Sequence, residues 1–151
     1  MTSLVLAEHD NASIRPATIN TVTAASQCDD VHVLVVGRND QASAEAASKI
    51  AGVSKVIHVE GEHFAHGLAE NIAAQVIALA GSYSHILFPA TASGKNIAPR
   101  VAALLDVGQI SDITKVDAVD TFGAPHLCRQ RKCHRATPVC GESPHRSHDR
   151  L

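Results

Sequence analysis

The sequence predicts an α/β fold: a parallel sheet in three layers, with helices on both faces. Two observations carry this. Short apolar runs alternate four times with longer stretches of helical periodicity, the pattern of strands joined by right-handed helical crossovers. The runs are apolar along their length rather than at every second residue, as in Val31 to Val36 (VHVLVV), which fits strands buried on both sides.

Each element follows from local chemistry. Ser3 to Ala7 (SLVLA) has the length of a buried strand. Pro16 suits the first turn of a helix, and Ala17 to Cys28 carries Ile19, Val22, Thr23 and Ser26 at helical spacing until Asp29-Asp30 interrupts. Val31 to Val36 is β-branched and closed by Gly37. Gln41 to Ile50 is alanine-rich and helical, with Gly52 as a stop. Lys55 to Val59 reads as the third strand. Residues 66–80 place Leu68, Ile72, Val76 and Leu79 on one helical face, ended by Gly81. His85 to Phe88 is the fourth strand. Thr91 to Ile113 then opens with small residues and a lysine. Here Ser93 is expected to cap a helix over Lys95–Leu105, Gly94 to turn the backbone, and Pro99 to sit in the first turn. Gln109 to Phe122 is partly alternating and extended.

In such sheets, ligands meet the carboxyl ends of the strands. The candidate positions there are Glu8, His9, Gly37, Arg38, Ala90, Thr91 and Ser93. A strand, a Ser-Gly turn and a helix start form a natural anion cradle, but Gly94 lacks the partner glycine of a phosphate loop. Glu8 and His9 could form an acid–base pair, although neighbours on extended chain point apart. His58 reads as a packed or edge histidine. His63 and His66 could share a face, yet two ligands do not make a zinc site. No Ser–His–Asp or Cys–His signature is present. The expected assignments are therefore no catalytic residue, no cofactor-binding residue and no metal ligand.

The chain has 151 residues, enough for one domain with a core. No apolar stretch is long enough to span a bilayer, and MTSLVLAEHD lacks a secretory pattern, so a cytoplasmic location is expected. The near-neutral total hides a break. Residues 1–122 hold seven Lys and Arg against thirteen Asp and Glu, a formal −6, while residues 123–151 carry +4. Those last residues also hold three of four cysteines and four of ten histidines. Cys128, Cys133, His134 and Cys140 suggest metal binding, and Arg129 to Arg135 suggests nucleic acid. The spacings match no zinc module, and the basic run lacks aromatics. Disorder is expected for this tail.

Residues 1–122 closely resemble the N-terminal domain of the electron transfer flavoprotein alpha subunit. The matching stretches are SLVLAEHDNASIRPATINTVTAA, VHVLVVG and SGKNIAPRVAALLDVGQISDI, with Asp120-Thr121-Phe122 following. The resemblance implies the adenine-nucleotide alpha-hydrolase-like fold. It implies a heterodimer with a beta subunit, carrying one FAD and one AMP. Such a complex passes electrons from acyl-CoA and other dehydrogenases to a membrane quinone oxidoreductase, without being an enzyme of its own. In that family FAD is held mainly by a C-terminal alpha domain and AMP by the beta subunit. The chain stops at Leu151, so the FAD domain is expected to be absent. Residues 1–122 are then expected to serve as a scaffold that packs with beta. Ser93, Gly94, Lys95 and Arg100 match the family motif, but no ligand role is carried onto them. The competing expectation is a stand-alone AMP- or ATP-binding domain.

The resemblance is expected to fail after Phe122, where the family continues with a stretch like ERPIYAGNA. Residues 123–131 can be written GGA GCG CCC CAT CTA TGC CGG CAA CGC, followed by the A of Lys132. Dropping the first base gives GAG CGC CCC ATC TAT GCC GGC AAC GCA, which reads ERPIYAGNA. A one-nucleotide insertion near codon 123 would make residues 123–151 an aberrant tail. The domain would then lack its closing strands, leaving an open edge and an uncovered apolar face.

Overall fold

A computed structural model describes residues 2–28 and 30–123, together with the backbone of 131–132 and 136–140. The chain runs β1 (Thr2–Leu6), α1 (Pro16–Ala25), β2 (Asp30–Gly37), α2 (Gln41–Ser48), β3 (Val53–Glu60), α3 (Ala69–Ala80), β4 (His85–Pro89) and α4 (Ala92–Leu105). Then follow β5 (Gly108–Ile113), β6 (Lys115–Ala118), β7 (Thr121–Gly123), β8 (Arg131–Lys132) and β9 (Ala136–Cys140). The main sheet has the order β3-β2-β1-β4-β9-β5, and β6, β7 and β8 form a small second sheet. All pairings in the main sheet are parallel.

The three expected layers follow from the period of two along each strand. Leu4, Leu6, Leu34, Val36, Ile86 and Phe88 face α3 and α4, against Ala73, Val76, Ile97 and Val101. The intervening Val5, Val31, Val33, Val35 and Leu87 face the other way, against Val22 and Ala25 of α1 and Ala47 of α2. Both faces are therefore covered, which explains the unbroken apolar runs. Phe122, nearly fully buried, joins this second core and stands edge-on to His85 at 5.9 Å between ring centres. It ties the small sheet to the large one.

At the far side of the sheet β9 pairs on one side with β4 (Phe88 with Val139) and on the other with β5 (Gly108 with Ala136). The open backbone of β4 is a template for any extended segment within reach. Pro138 lies opposite Ile110 and has no N–H for the ladder. The rest of the tail, with Cys128, Cys133 and His134, lies outside the described residues.

Smaller corrections have local causes. The α1 face turned inward is Thr18, Thr21, Val22 and Ala25, and Ile19 is exposed. The third helix begins at Ala69 rather than residue 66, because Gly67 takes φ +59° and breaks the chain direction. Pro99 falls inside α4 rather than in its first turn, since the helix already starts at Ala92. The carbonyl of Lys95 thereby loses its helical partner.

Candidate functional site

The chain order β1 to β2 to β3 moves outward on one side, and the next connection crosses to put β4 on the other side of β1. A crevice forms at such a reversal, outside the carboxyl ends of the strands. The cavity found there has a volume of about 640 Å³. Glu8, His9, Gly37, Arg38, Thr91 and Ser93 all line it, with Asn11 and Arg15. Six of the seven strand-end candidates thus meet; Ala90 is not among the lining residues.

Glu8 and His9 point apart, as extended chain requires. The loop carrying them is closed by an antiparallel bridge between His9 and Ile14 and by the Arg15 N–H to Glu8 carbonyl bond at 2.9 Å. Buried Thr18 holds the Glu8 backbone, accepting its N–H at 2.8 Å. The Glu8 carboxylate then reaches α4, where the Thr91 hydroxyl donates to Oε1. Thr91, not Ser93, is the N-cap: its Oγ1 accepts the Gly94 N–H at 3.2 Å. Position 91 is the last extended residue before the helix, which is where a capping side chain works. A carboxylate of the chain itself therefore occupies the favourable end of the α4 dipole. Thr91→Ala is expected to cost about 1 kcal/mol of stability. Urea titration checks this, and an unchanged midpoint would sink it.

The other family-motif residues are spread out. Gly94 is buried against the end of β4, where an added Cβ would stand 1.8 Å from the Pro89 carbonyl oxygen. Lys95 pairs with Asp112 at 2.9 Å, and Arg100 with Glu70 on α3 at 3.1 Å. Neither cation lines the cavity. Asp112 sits at φ +53° in an irregular stretch of β5, and its ion pair with Lys95 holds that stretch to the start of α4.

Behind the cavity wall, fully buried Asp40 receives the His58 Nε2–H at 2.8 Å and lies 3.6 Å from His9 Nε2. Sequence reasoning identified both histidines but missed Asp40, which looks like an ordinary N-cap before α2. Its side chain makes no cap bond and turns to the imidazoles instead. Gly37 leaves room for this, since a Cβ there would meet Asp40 Oδ2 at 2.7 Å. His63 stacks obliquely on Phe64, with ring centres 3.9 Å apart. Among the described residues, no group of three or more His, Cys, Asp and Glu could hold a metal ion.

At the loop tip, Asp10 accepts the N–H groups of Ser13 and Ala12 and the Ser13 hydroxyl. The Ser13 and Ala12 N–H bonds, with the hydroxyl, hold its carboxyl below the usual value of 3.8. Its folded pKa is depressed, so its stabilisation is complete above pH 3.8 and is lost as pH falls through the folded value. Asp10→Asn should flatten the acid limb of the stability profile in that window alone; an unchanged limb would refute it.

A family model described as "Electron transfer flavoprotein domain" matches residues 3–131. The chain belongs to this family. The matched span runs past Phe122, where the resemblance was expected to end. The chain is 54% identical over 126 residues to the electron transfer flavoprotein subunit alpha of Pseudomonas aeruginosa, covering 83% of this chain and 41% of the relative. It is 48% identical to that of Paracoccus denitrificans, with coverage of 83% and 41%. It is 44% identical over 133 residues to the mitochondrial alpha subunit of Dictyostelium discoideum, with coverage of 82% and 38%. The chain thus spans about two fifths of the length of these relatives.

An electron transfer flavoprotein implies a flavin, and the cavity does not fit one well. At the start of α4 the Gly94 N–H is taken by the Thr91 hydroxyl, which in turn donates to the Glu8 carboxylate. A negative charge there repels a second one. Among the described residues, no helix is long and apolar enough to cross a membrane.

Proposed function

We propose that this chain is the N-terminal portion of an electron transfer flavoprotein alpha subunit and acts as a scaffold that packs with a beta subunit. The observation that carries the reading is the 54% identity over 126 residues to a protein of that name. The self-filled α4 terminus supports a scaffold over a cofactor site. In this reading FAD is held by alpha-subunit regions in the share of the relatives' length that the chain does not match. AMP belongs to the beta subunit. The complete complex would carry electrons from acyl-CoA and other dehydrogenases to a quinone oxidoreductase in the membrane. It would do so as a cytoplasmic electron carrier, not as an enzyme, and residues 1–122 would supply no FAD or AMP ligand.

Co-expression with a beta subunit of the family tests the scaffold. A stable one-to-one complex without flavin is expected, and failure to associate at micromolar concentration would overturn it. Residues 123–151 are proposed to be a frame-shifted tail. Reading the gene decides this: an intact frame, with nothing like ERPIYAGNA in the shifted frame, would refute it.

A second reading, a stand-alone binder of AMP or ATP, is favoured by the cavity at the strand-order reversal and opposed by Glu8. Calorimetry with AMP, ATP and FAD separates the two. Micromolar binding of AMP or ATP by this chain would favour the second reading.

A further inference from the structure

His9 is held in one protonation state by geometry. Its Nε2 lies 3.1 Å from the Val36 carbonyl oxygen, which can only accept, so Nε2 carries a proton. Its Nδ1 lies 3.2 Å from the backbone nitrogen of Asn11, which can only donate, so Nδ1 is bare. These two bonds together require the neutral ring. Asn11 stands at φ +70°, a conformation that costs an asparagine little but is not its resting choice. The bond to Nδ1 holds it there, and Asn11 lines the cavity. On the other side of the ring, Asp40 Oδ2 is buried without a hydrogen bond, 3.6 Å from His9 Nε2.

We propose that His9 is a proton-operated latch on the 9–14 loop, through which acid opens one wall of the cavity. A proton from solvent adds to Nδ1, which then faces the Asn11 N–H as a second donor. That hydrogen bond is lost, and Asn11 is free to leave its left-handed conformation. The imidazolium is drawn to the vacant acceptor Oδ2 of Asp40. No covalent bond other than the new N–H changes.

The surrounding charges favour this movement. On the loop itself, Glu8 is engaged with Thr91, and Asp10 with Ala12 and Ser13. From the β2–α2 turn, Asp40 faces the ring while Arg38 pairs with Glu62 at 3.4 Å. From β3, His58 holds the other Asp40 oxygen, and Glu60 accepts the Asn39 N–H. From α4, Lys95 is paired with Asp112. Asp40 is therefore the charge that decides, and His58 competes for it. The Asp10–Ser13 turn and the His9–Ile14 bridge do not use the ring, so the release is confined to Asn11, which lines the cavity.

Nitrogen-15 spectra of the 151-residue chain, from about pH 8 to about pH 5 where histidine titrates, test this. His9 should appear as the Nε2–H tautomer at high pH. The Asn11 amide should shift with the His9 midpoint, and its hydrogen exchange should rise at least about tenfold beyond the intrinsic change. Asp40→Asn should diminish the Asn11 transition, while His58→Gln should leave it in place. An Nδ1–H tautomer at high pH, or an Asn11 amide that ignores His9, overturns the proposal. Loss of the transition in His58→Gln does so too. Should Asp40→Asn unfold the chain, the tautomer and the Asn11 coupling in the unsubstituted protein decide the matter alone.

Discussion

Replacing Gly94 with alanine is expected to lower the unfolding free energy by about 3 kcal/mol, the upper part of the range for overpacking. The added Cβ would stand 1.8 Å from the Pro89 carbonyl oxygen and 3.0 Å from its carbon. Both are backbone, so no side chain can rotate away. Either α4 lifts from the end of β4 or β4 bends, and each disturbs Phe88, Ile97 and Val101 in the core behind. Gly81→Ala is the control. Gly81 has ordinary helical φ and ψ and no atom within 4 Å of an added Cβ, so it should change stability by less than about 0.5 kcal/mol or improve it slightly. Chemical denaturation of both variants gives the answer. Equal midpoints for the two would show that α4 does not depend on the absence of a side chain at Gly94.

Phe88→Ala is expected to cost about 4 kcal/mol, within the range for truncating a buried aromatic. Phe88 is fully buried, lies on the face covered by α3 and α4, and sits one residue before the strand end that meets Gly94. Few side chains can collapse into the space, because the sheet backbone forms one wall. Leu104→Ala on the same helix layer makes the contrast. Leu104 is 71% exposed, so its truncation should leave the isolated chain within about 0.5 kcal/mol of the original. If Phe88→Ala cost no more than Leu104→Ala, the two-sided core described here would be wrong.

The layers were legible because burial on two sides writes itself as unbroken apolar runs, as in Val31 to Val36. The strand-end rule likewise gathered Glu8, His9, Gly37, Arg38, Thr91 and Ser93 around one cavity. What stayed hidden was the direction of side chains over long sequence separations. Nothing local says that Asp40 abandons its cap to join His9 and His58. Nor does spacing show that Glu8 reaches Thr91, eighty-three residues away. Ser93 looked like the cap because serine beside glycine is common at helix starts, but the helix begins one residue before it. The β9 pairing was equally illegible, since Ala136–Cys140 is a strand through its neighbours β4 and β5 rather than through its own pattern.

The place of β9 also sets an order of events in time. β4 and β5 are made early and β9 last, yet β9 lies between them. During synthesis β5 cannot take its final seat beside β4, because the intervening place belongs to residues not yet made. The half of the sheet built from β1 to β4 can close alone, whereas the other half must wait and then be zipped from the middle. Such late, distant parallel pairing is slow, and while it is pending the waiting backbone of β4 is open to a strand from another molecule. Chaperone dependence and losses at high expression should therefore trace to this seam rather than to the β1–β4 half.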